Sequence, residues 1–138
     1  MVEIRKTYYD NGNLKSEIPY ENGKKNGIAK YYHENGNIKY QTPYENGKIN
    51  GVDIWYHENG KIEGEFPYVD DMRHGVVKWY YENGNIELEI PFENDERHGI
   101  VKYYDENGNL TREAKFVNGF KDEYFNSKLG LEWKLLIL

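Results

Sequence analysis

Apolar and polar side chains alternate along this chain in short runs. Around Asn35-Gly36 the runs are IAKYY at 28–32 and IKYQTPY at 38–44. A period of two over such lengths predicts half-buried strands. Asn-Gly between two of them is the strongest short-range hairpin signal, because both central positions of the tight turn require positive φ. The phrase recurs: YYHENGN at 31–37 returns as WYHENGK at 55–61 and WYYENGN at 79–85.

The repeat is strict. Gly12, Gly36, Gly60, Gly84 and Gly108 stand 24 residues apart, each preceded by asparagine. A second glycine column runs Gly27, Gly51, Gly75, Gly99 and fails at Glu123; a proline column runs Pro19, Pro43, Pro67, Pro91 and fails at Lys115. Aromatics recur at Tyr20, Tyr44, Tyr68, Phe92 and Phe116, and aliphatics at Leu14, Ile38, Ile62, Ile86 and Leu110. Tandem self-similarity of this kind predicts an array in which one small unit stacks on the next.

With Asn35-Gly36 at the tip, His33 faces Ile38, Tyr32 faces Lys39, Tyr31 faces Tyr40, Lys30 faces Gln41 and Ala29 faces Thr42. Charges support the register. The Lys30–Gln41 pair becomes Lys6–Glu17, Lys78–Glu89 and Lys102–Glu113, and only Ile54–Glu65 breaks it. Opposite charges facing across strands contribute about 0.2–1 kcal/mol each. Gly27 falls opposite Tyr44, which suggests a ring lying over a bare glycine. The prolines donate no ladder hydrogen bond, so a bulge or strand end is expected there. Links such as ENGKING at 45–51 read as a second turn.

The expected architecture is all-β: tandem 24-residue hairpins in an elongated, twisted, single-layer antiparallel sheet. Each hairpin advances two strand spacings, and about eleven strands are expected. One face carries Tyr31, Trp55, Trp79 and Tyr103 with the Leu/Ile and Tyr/Phe columns. The other carries Ile28, Tyr32 and their equivalents among Lys, Glu and Pro. Residues 1–123 form five repeats. Residues 124–138, rich in leucine around Trp133, read as a cap on the last hairpin or an interaction tail.

Composition fits a thin fold. Hydrophobic residues are 38% and charged residues 30%, yet aromatics reach 16%, too many for a disordered chain. Tyrosine, with 14 copies, suits rings that are half buried. The net charge is −6; residues 1–69 hold nine Lys/Arg and ten Asp/Glu, residues 70–138 nine and fourteen. No basic stripe remains for phosphates, which argues against nucleic acid and makes an anionic membrane an unfavoured partner. The absence of cysteine excludes disulfides and thiolate metal sites. MVEIRKTYYDNG has no apolar leader-like run, so the expected location is the cytoplasm.

The order Y-x-x-N-G-x-[LI]…[YF]-x-N-G-x-x-x-G, as in YYHENGNIKYQTPYENGKING at 31–51, resembles the MORN repeat family, and more closely its bacterial variant. The resemblance covers roughly residues 4–123. It implies a row of hairpins forming an elongated curved sheet. It also implies binding roles: phospholipid attachment for MORN repeats at membranes, and for stand-alone bacterial proteins of this variant a likeness to the YwqK-type antitoxin group, which are immunity partners of toxins.

Catalytic chemistry finds little support. His33 and His57 share one column, His74 and His98 another. Column neighbours stand roughly 9–10 Å apart, whereas two nitrogens on one zinc lie within about 4 Å. Glu17, Glu65, Glu89 and Glu113 could be paired by distance, but lysines face three of them and no pocket-forming insertion accompanies them. No catalytic residue, metal or cofactor is expected. The expected role is a non-enzymatic protein-interaction module, with antitoxin or immunity function as its sharpest form. The candidate partner face is Tyr31, Trp55, Trp79 and Tyr103. A candidate acidic patch of Asp70, Asp71, Glu93, Asp95 and Glu96 would suit a basic toxin. The alternatives are phospholipid attachment near Lys24, Lys25 and Lys48, and a self-associating scaffold joined through Leu135, Leu136, Ile137 and Leu138.

Overall fold

The structure, a computed structural model, describes residues 1–127. They build one open antiparallel sheet with no helix. Strands β1 (Val2–Tyr8) and β2 (Leu14–Glu21) make the first hairpin, and the short β3 (Lys24–Lys25) follows. The grouping recurs as β4 (Gly27–Tyr32), β5 (Ile38–Glu45) and β6 (Lys48–Ile49), then β7 (Gly51–Tyr56), β8 (Ile62–Val69) and β9 (Met72–Arg73). It continues as β10 (Gly75–Tyr80), β11 (Ile86–Glu93) and β12 (Glu96–Arg97), and ends with β13 (Gly99–Tyr104), β14 (Leu110–Val117) and β15 (Phe120–Lys121). The main path β1-β2-β4-β5-β7-β8-β10-β11-β13-β14-β15 has the eleven strands expected; β3, β6, β9 and β12 pair alongside.

The body of the register is as read from the charges. Ala29 pairs with Thr42, Lys30 with Gln41, Tyr31 with Tyr40. Lys6, Lys78 and Lys102 face Glu17, Glu89 and Glu113. The exception, Ile54–Glu65, is offset from the other side, where Lys78 of the next hairpin also pairs with Glu65.

The tip differs from expectation. The register slips between Tyr31 and Tyr32, so Tyr32 pairs with Ile38 and Lys39 is the extra, bulged residue. The expected pairs His33–Ile38 and Tyr32–Lys39 do not form, and the aliphatic column pairs with the Tyr32 column instead of facing the His33 one. The cause is the turn. Gly36 N–H donates to His33 O (2.9 Å), His33 N–H donates to Asn37 O (2.8 Å), and only Gly36 takes positive φ. This is a three-residue turn closed by a glycine bulge. The tight two-residue turn with two positive φ values is the second one. Asn46 (φ 48°) and Gly47 (φ 84°) join β5 to β6, with Glu45 paired to Lys48.

Two further expectations are corrected. The strands run straight through the prolines: Ile28 pairs with Pro43 inside an unbroken register, and the bulge sits nearer the tip. What ends near each proline is the pairing between hairpins. β2 meets β4 only through Ser16–Tyr31 and Glu17–Lys30. The bare face of the second glycine column meets proline, not the tyrosine ring. A Cβ on Gly99, whose φ is +123°, would lie 2.9 Å from Pro91 Cγ. The proline and glycine columns are therefore one device, which explains why Lys115 and Glu123 abandon them together.

The core is thin and lies on the Tyr31 side. Ala29, Phe66, Val77, Val101, Ala114 and Phe116 are buried, with Ser16, Thr42 and Asp53 among them. The expected cap, with Leu129 to Leu138, lies outside the described residues. The described chain follows the repeat as far as Asp122, whose N–H donates to Lys115 O (2.8 Å), as His98 does to Pro91 O. It then turns, with Phe125 N–H donating to Asp122 O.

Candidate functional site

Strand pairing brings one row of residues together across the whole sheet. Tyr31 pairs with Ser16 and Tyr40, Tyr40 with Trp55, Trp55 with Gly64, Gly64 with Trp79, Trp79 with Leu88, and Leu88 with Tyr103. Tyr31, Trp55, Trp79 and Tyr103 are thus alternate rungs of one ladder. Sequence reasoning missed the rungs between them. Tyr40, Gly64 and Leu88 belong to a column that also contains Ser16 and Arg112, so the repeat pattern hides them; only the register finds them.

The rings touch in sequence. Tyr31 stacks on Tyr40 with centroids 4.5 Å apart, and Tyr40 lies 5.9 Å from Trp55. Phe66 packs against both tryptophans, 5.1 Å from Trp55 and 5.0 Å from Trp79, and the two indoles meet edge to face at 6.0 Å. Gly64 makes this possible. A Cβ there would come within 2.7 Å of the Phe66 ring, so the ring occupies the space a side chain would take. Ring-over-glycine packing does occur in this protein, at Gly64 rather than in the second glycine column. Tyr103 closes the ladder against Val101, Ala114 and Phe116, with Arg112 5.0 Å from its ring centre.

Trp55 is the exposed member, at 39%. Its indole N–H donates to Asp53 Oδ2 (3.0 Å), while Thr42 Oγ1 donates to Asp53 Oδ1 (2.7 Å). Asp53 is a carboxylate at a position where neighbouring repeats have Ala29, Val77 and Val101. Burial pushes its pKa up, and the two donors pull it partly back. With both oxygens occupied, its role in the geometry is to orient the indole. Desolvation also raises the hydroxyls of Tyr44 and Tyr68, and the charges of Asp53 and Asp71 add to this.

The acidic patch lies along the edge formed by the second turns. Asp70 and Asp71 form one turn and Asp95 part of the next, all at positive φ. Arg73 Nε holds Asp95 Oδ1 at 2.7 Å, which lowers its pKa, and His98 Nε2 stands 3.7 Å from Glu93. Asp71 Oδ1 accepts from Ile49 N–H (2.7 Å). Asp70 and Glu96 are exposed, with no cation beside them among the described residues. Cations of this edge cover the aromatic column: Lys25 lies 4.9 Å from the Tyr44 ring, Arg73 4.3 Å from Phe92 and Arg97 4.3 Å from Phe116.

Three of the four histidines join repeats, while the Nε2 of His33 is buried without a hydrogen-bond partner among the described residues. His57 Nε2 bonds Tyr80 O (3.0 Å), and in the same column Tyr81 Oη donates to Tyr104 O (2.7 Å). His74 and His98 accept on Nδ1 from Asn94 and Asn118 N–H. The expected Lys–Glu contacts are close only at Lys6–Glu17 (3.9 Å). Glu65 and Glu89 are instead held by hydroxyls from the following repeat: Tyr80 Oη donates to Glu65 at 2.9 Å and Tyr104 Oη to Glu89 at 2.7 Å.

No curated protein matches this chain. The family model described as MORN repeat variant matches residues 4–22, 25–46, 49–70, 73–94 and 97–118. Each matched segment after the first begins at or beside a short strand, contains one tip turn and ends at a second turn. The chain belongs to the MORN repeat variant family.

Proposed function

We propose that this chain is a non-enzymatic protein-binding module whose aromatic ladder seats a partner, and that the partner is a basic toxin which it neutralises in a bacterial cytoplasm. The observation that carries the reading is Trp55: a large ring, exposed at the middle of a continuous ladder and fixed in place by Asp53. Rigid, half-exposed aromatics are what binding hot spots are made of. The nearby acids would speed encounter with a basic protein without adding much affinity. Asp95 would add least to that effect, because Arg73 already faces it, and Asp70 and Glu96, unpaired among the described residues, are the clearest contributors.

The test is capture from native-host lysate, with Trp55→Ala/Trp79→Ala as the comparison once circular dichroism shows it folded. A basic protein held by the parent and lost by the variant is the expected result. Truncating a central anchor costs on the order of 2–4 kcal/mol of binding. Reversing Asp70 and Glu96 should then slow association at low salt while leaving dissociation nearly unchanged. A prey retained by the variant would remove the ladder from the interface. Flotation with anionic vesicles and no protein prey would favour lipid attachment instead.

A further inference from the structure

The face opposite the aromatic ladder carries two rows of residues that the strand register sets side by side. In the first row Ile4, Ile28, Val52 and Val76 each pair with a proline, and Ile100 continues the series. The aliphatic members are exposed, from 54% at Ile4 to 39% at Ile100. At strand spacing the row makes a band about 40 Å long, and an exposed apolar band of that extent marks an interaction surface. The second row lies two residues further along each strand. It holds lysine on the first strand of four hairpins and glutamate on the second strand of four, interrupted only by Gln41 and Ile54. A shallow hollow lined by Ile4, Glu17, Pro19, Ile28 and Lys30 joins the two rows. The charges of the second row cancel, so it offers no net field to a nucleic acid or an anionic membrane.

The order of those charges identifies the occupant. Ten strands of the main path, β1 to β14, each contribute one member. Taken from the two ends inward, the signs are opposite: Lys6 against Glu113, Glu17 against Lys102, Lys30 against Glu89. The central pairs, Gln41 against Lys78 and Ile54 against Glu65, bring no like charges together. The same reversal sets aliphatic against proline in the first row, with Ile28 over Pro91 and Val52 over Pro67. A surface that complements its own reversal fits a second copy of the same chain, because a two-fold contact presents one patch to itself. We infer that two copies of this chain pack face to face through this surface, about a two-fold axis that runs parallel to the strands between β7 and β8. An axis turned by a right angle within the sheet plane would set Lys6 on Lys6 and Glu89 on Glu89, so the charges select the first arrangement. Sheets stacked face to face keep their strands within about 30° of one another, and a two-fold along the strands meets that condition. The apolar row supplies the burial and the charged row the register. Both aromatic ladders then point outward, one on each side of the pair.

Sedimentation equilibrium of the full chain over a concentration series should give twice the 16.4 kDa chain mass. Val52 lies beside the axis and is 45% exposed in the single chain. Val52→Asp should therefore leave the circular dichroism unchanged, yet weaken association at least about tenfold by burying an unpaired charge from each copy. Lys30 and Glu89 give the sharper test. Within one chain they stand five strand spacings apart, roughly 24 Å, well beyond the screening length of about 8 Å at physiological salt. They meet only across the axis. Lys30→Glu or Glu89→Lys alone should raise the dimer dissociation constant about tenfold, and the two combined should return it to within about threefold of the parent. Trp55→Ala, on the ladder, should leave the dimer intact. A monomer at every concentration, a dimer that Val52→Asp leaves unchanged or Trp55→Ala dissolves, or single reversals that the combination does not rescue would each overturn the inference.

Discussion

Gly64 has no side chain, and the Phe66 ring lies where one would be. Gly64→Ala would force that ring away from Trp55 and Trp79, against both of which it packs. Overpacking of this kind costs about 1–3 kcal/mol. The expected result is a lower urea midpoint with an unchanged slope, together with a smaller near-ultraviolet dichroism from the disturbed three-ring cluster. An unchanged aromatic spectrum would mean that Phe66 does not hold the pair. At this scale the sequence was only partly legible. Tyr31, Trp55, Trp79 and Tyr103 repeat and can be found by counting. Tyr40, Gly64, Phe66 and Asp53 owe their roles to differing from their columns, and a method that looks for sameness passes over them. Asp53 is the clearest case: one acid among alanine and valines, legible only once Thr42 and Trp55 are seen to donate to it.

Asn-Gly occurs in both turns of the unit, and dihedral angles separate them. At the tip, Gly36 and Gly84 sit near φ 93–94°, beyond the left-handed well of other residues, and all five tips keep glycine. At the second turn Asp71 and Asp95 take φ of 69° and 70°, which asparagine and aspartate tolerate, and there glycine is dispensable. The tip asparagine therefore serves another end. Asn83 Oδ1 accepts from Asn85 N–H (2.8 Å), and its Nδ2 donates to Glu106 O of the next tip (2.9 Å). Asn83→Ala should cost about 1–2 kcal/mol. Amide exchange should quicken at tip 105–109 as well as at its own. Exchange confined to 81–85 would show that the cross-tip bond contributes nothing. Element type and the register of the strand bodies were readable because period and charge agree on them. The choice between turns was not, since both are written with the same two letters.

At the scale of the whole molecule, side-chain bonds to the next repeat carry much of the array's cohesion. Tyr80 and Tyr104 donate to glutamates of the preceding repeat, and desolvation, then those bonds, push both hydroxyls up to about 12. In the unfolded chain they ionise near 10. The folded state keeps protons that the unfolded state has lost, so their contribution is whole below about pH 10 and disappears as pH rises through about 12. Tyr80→Phe/Tyr104→Phe should flatten the alkaline fall of the thermal midpoint across that window; equal slopes in the two proteins would refute the assignment.

The pairing between hairpins has a mechanical consequence. β4 holds six residue pairs with β5 but only two with β2. The ribbon is therefore stiff along its strands and compliant across them. It can curl or flatten at each seam without disturbing a hairpin, much as a strap of rigid links follows the limb it encloses.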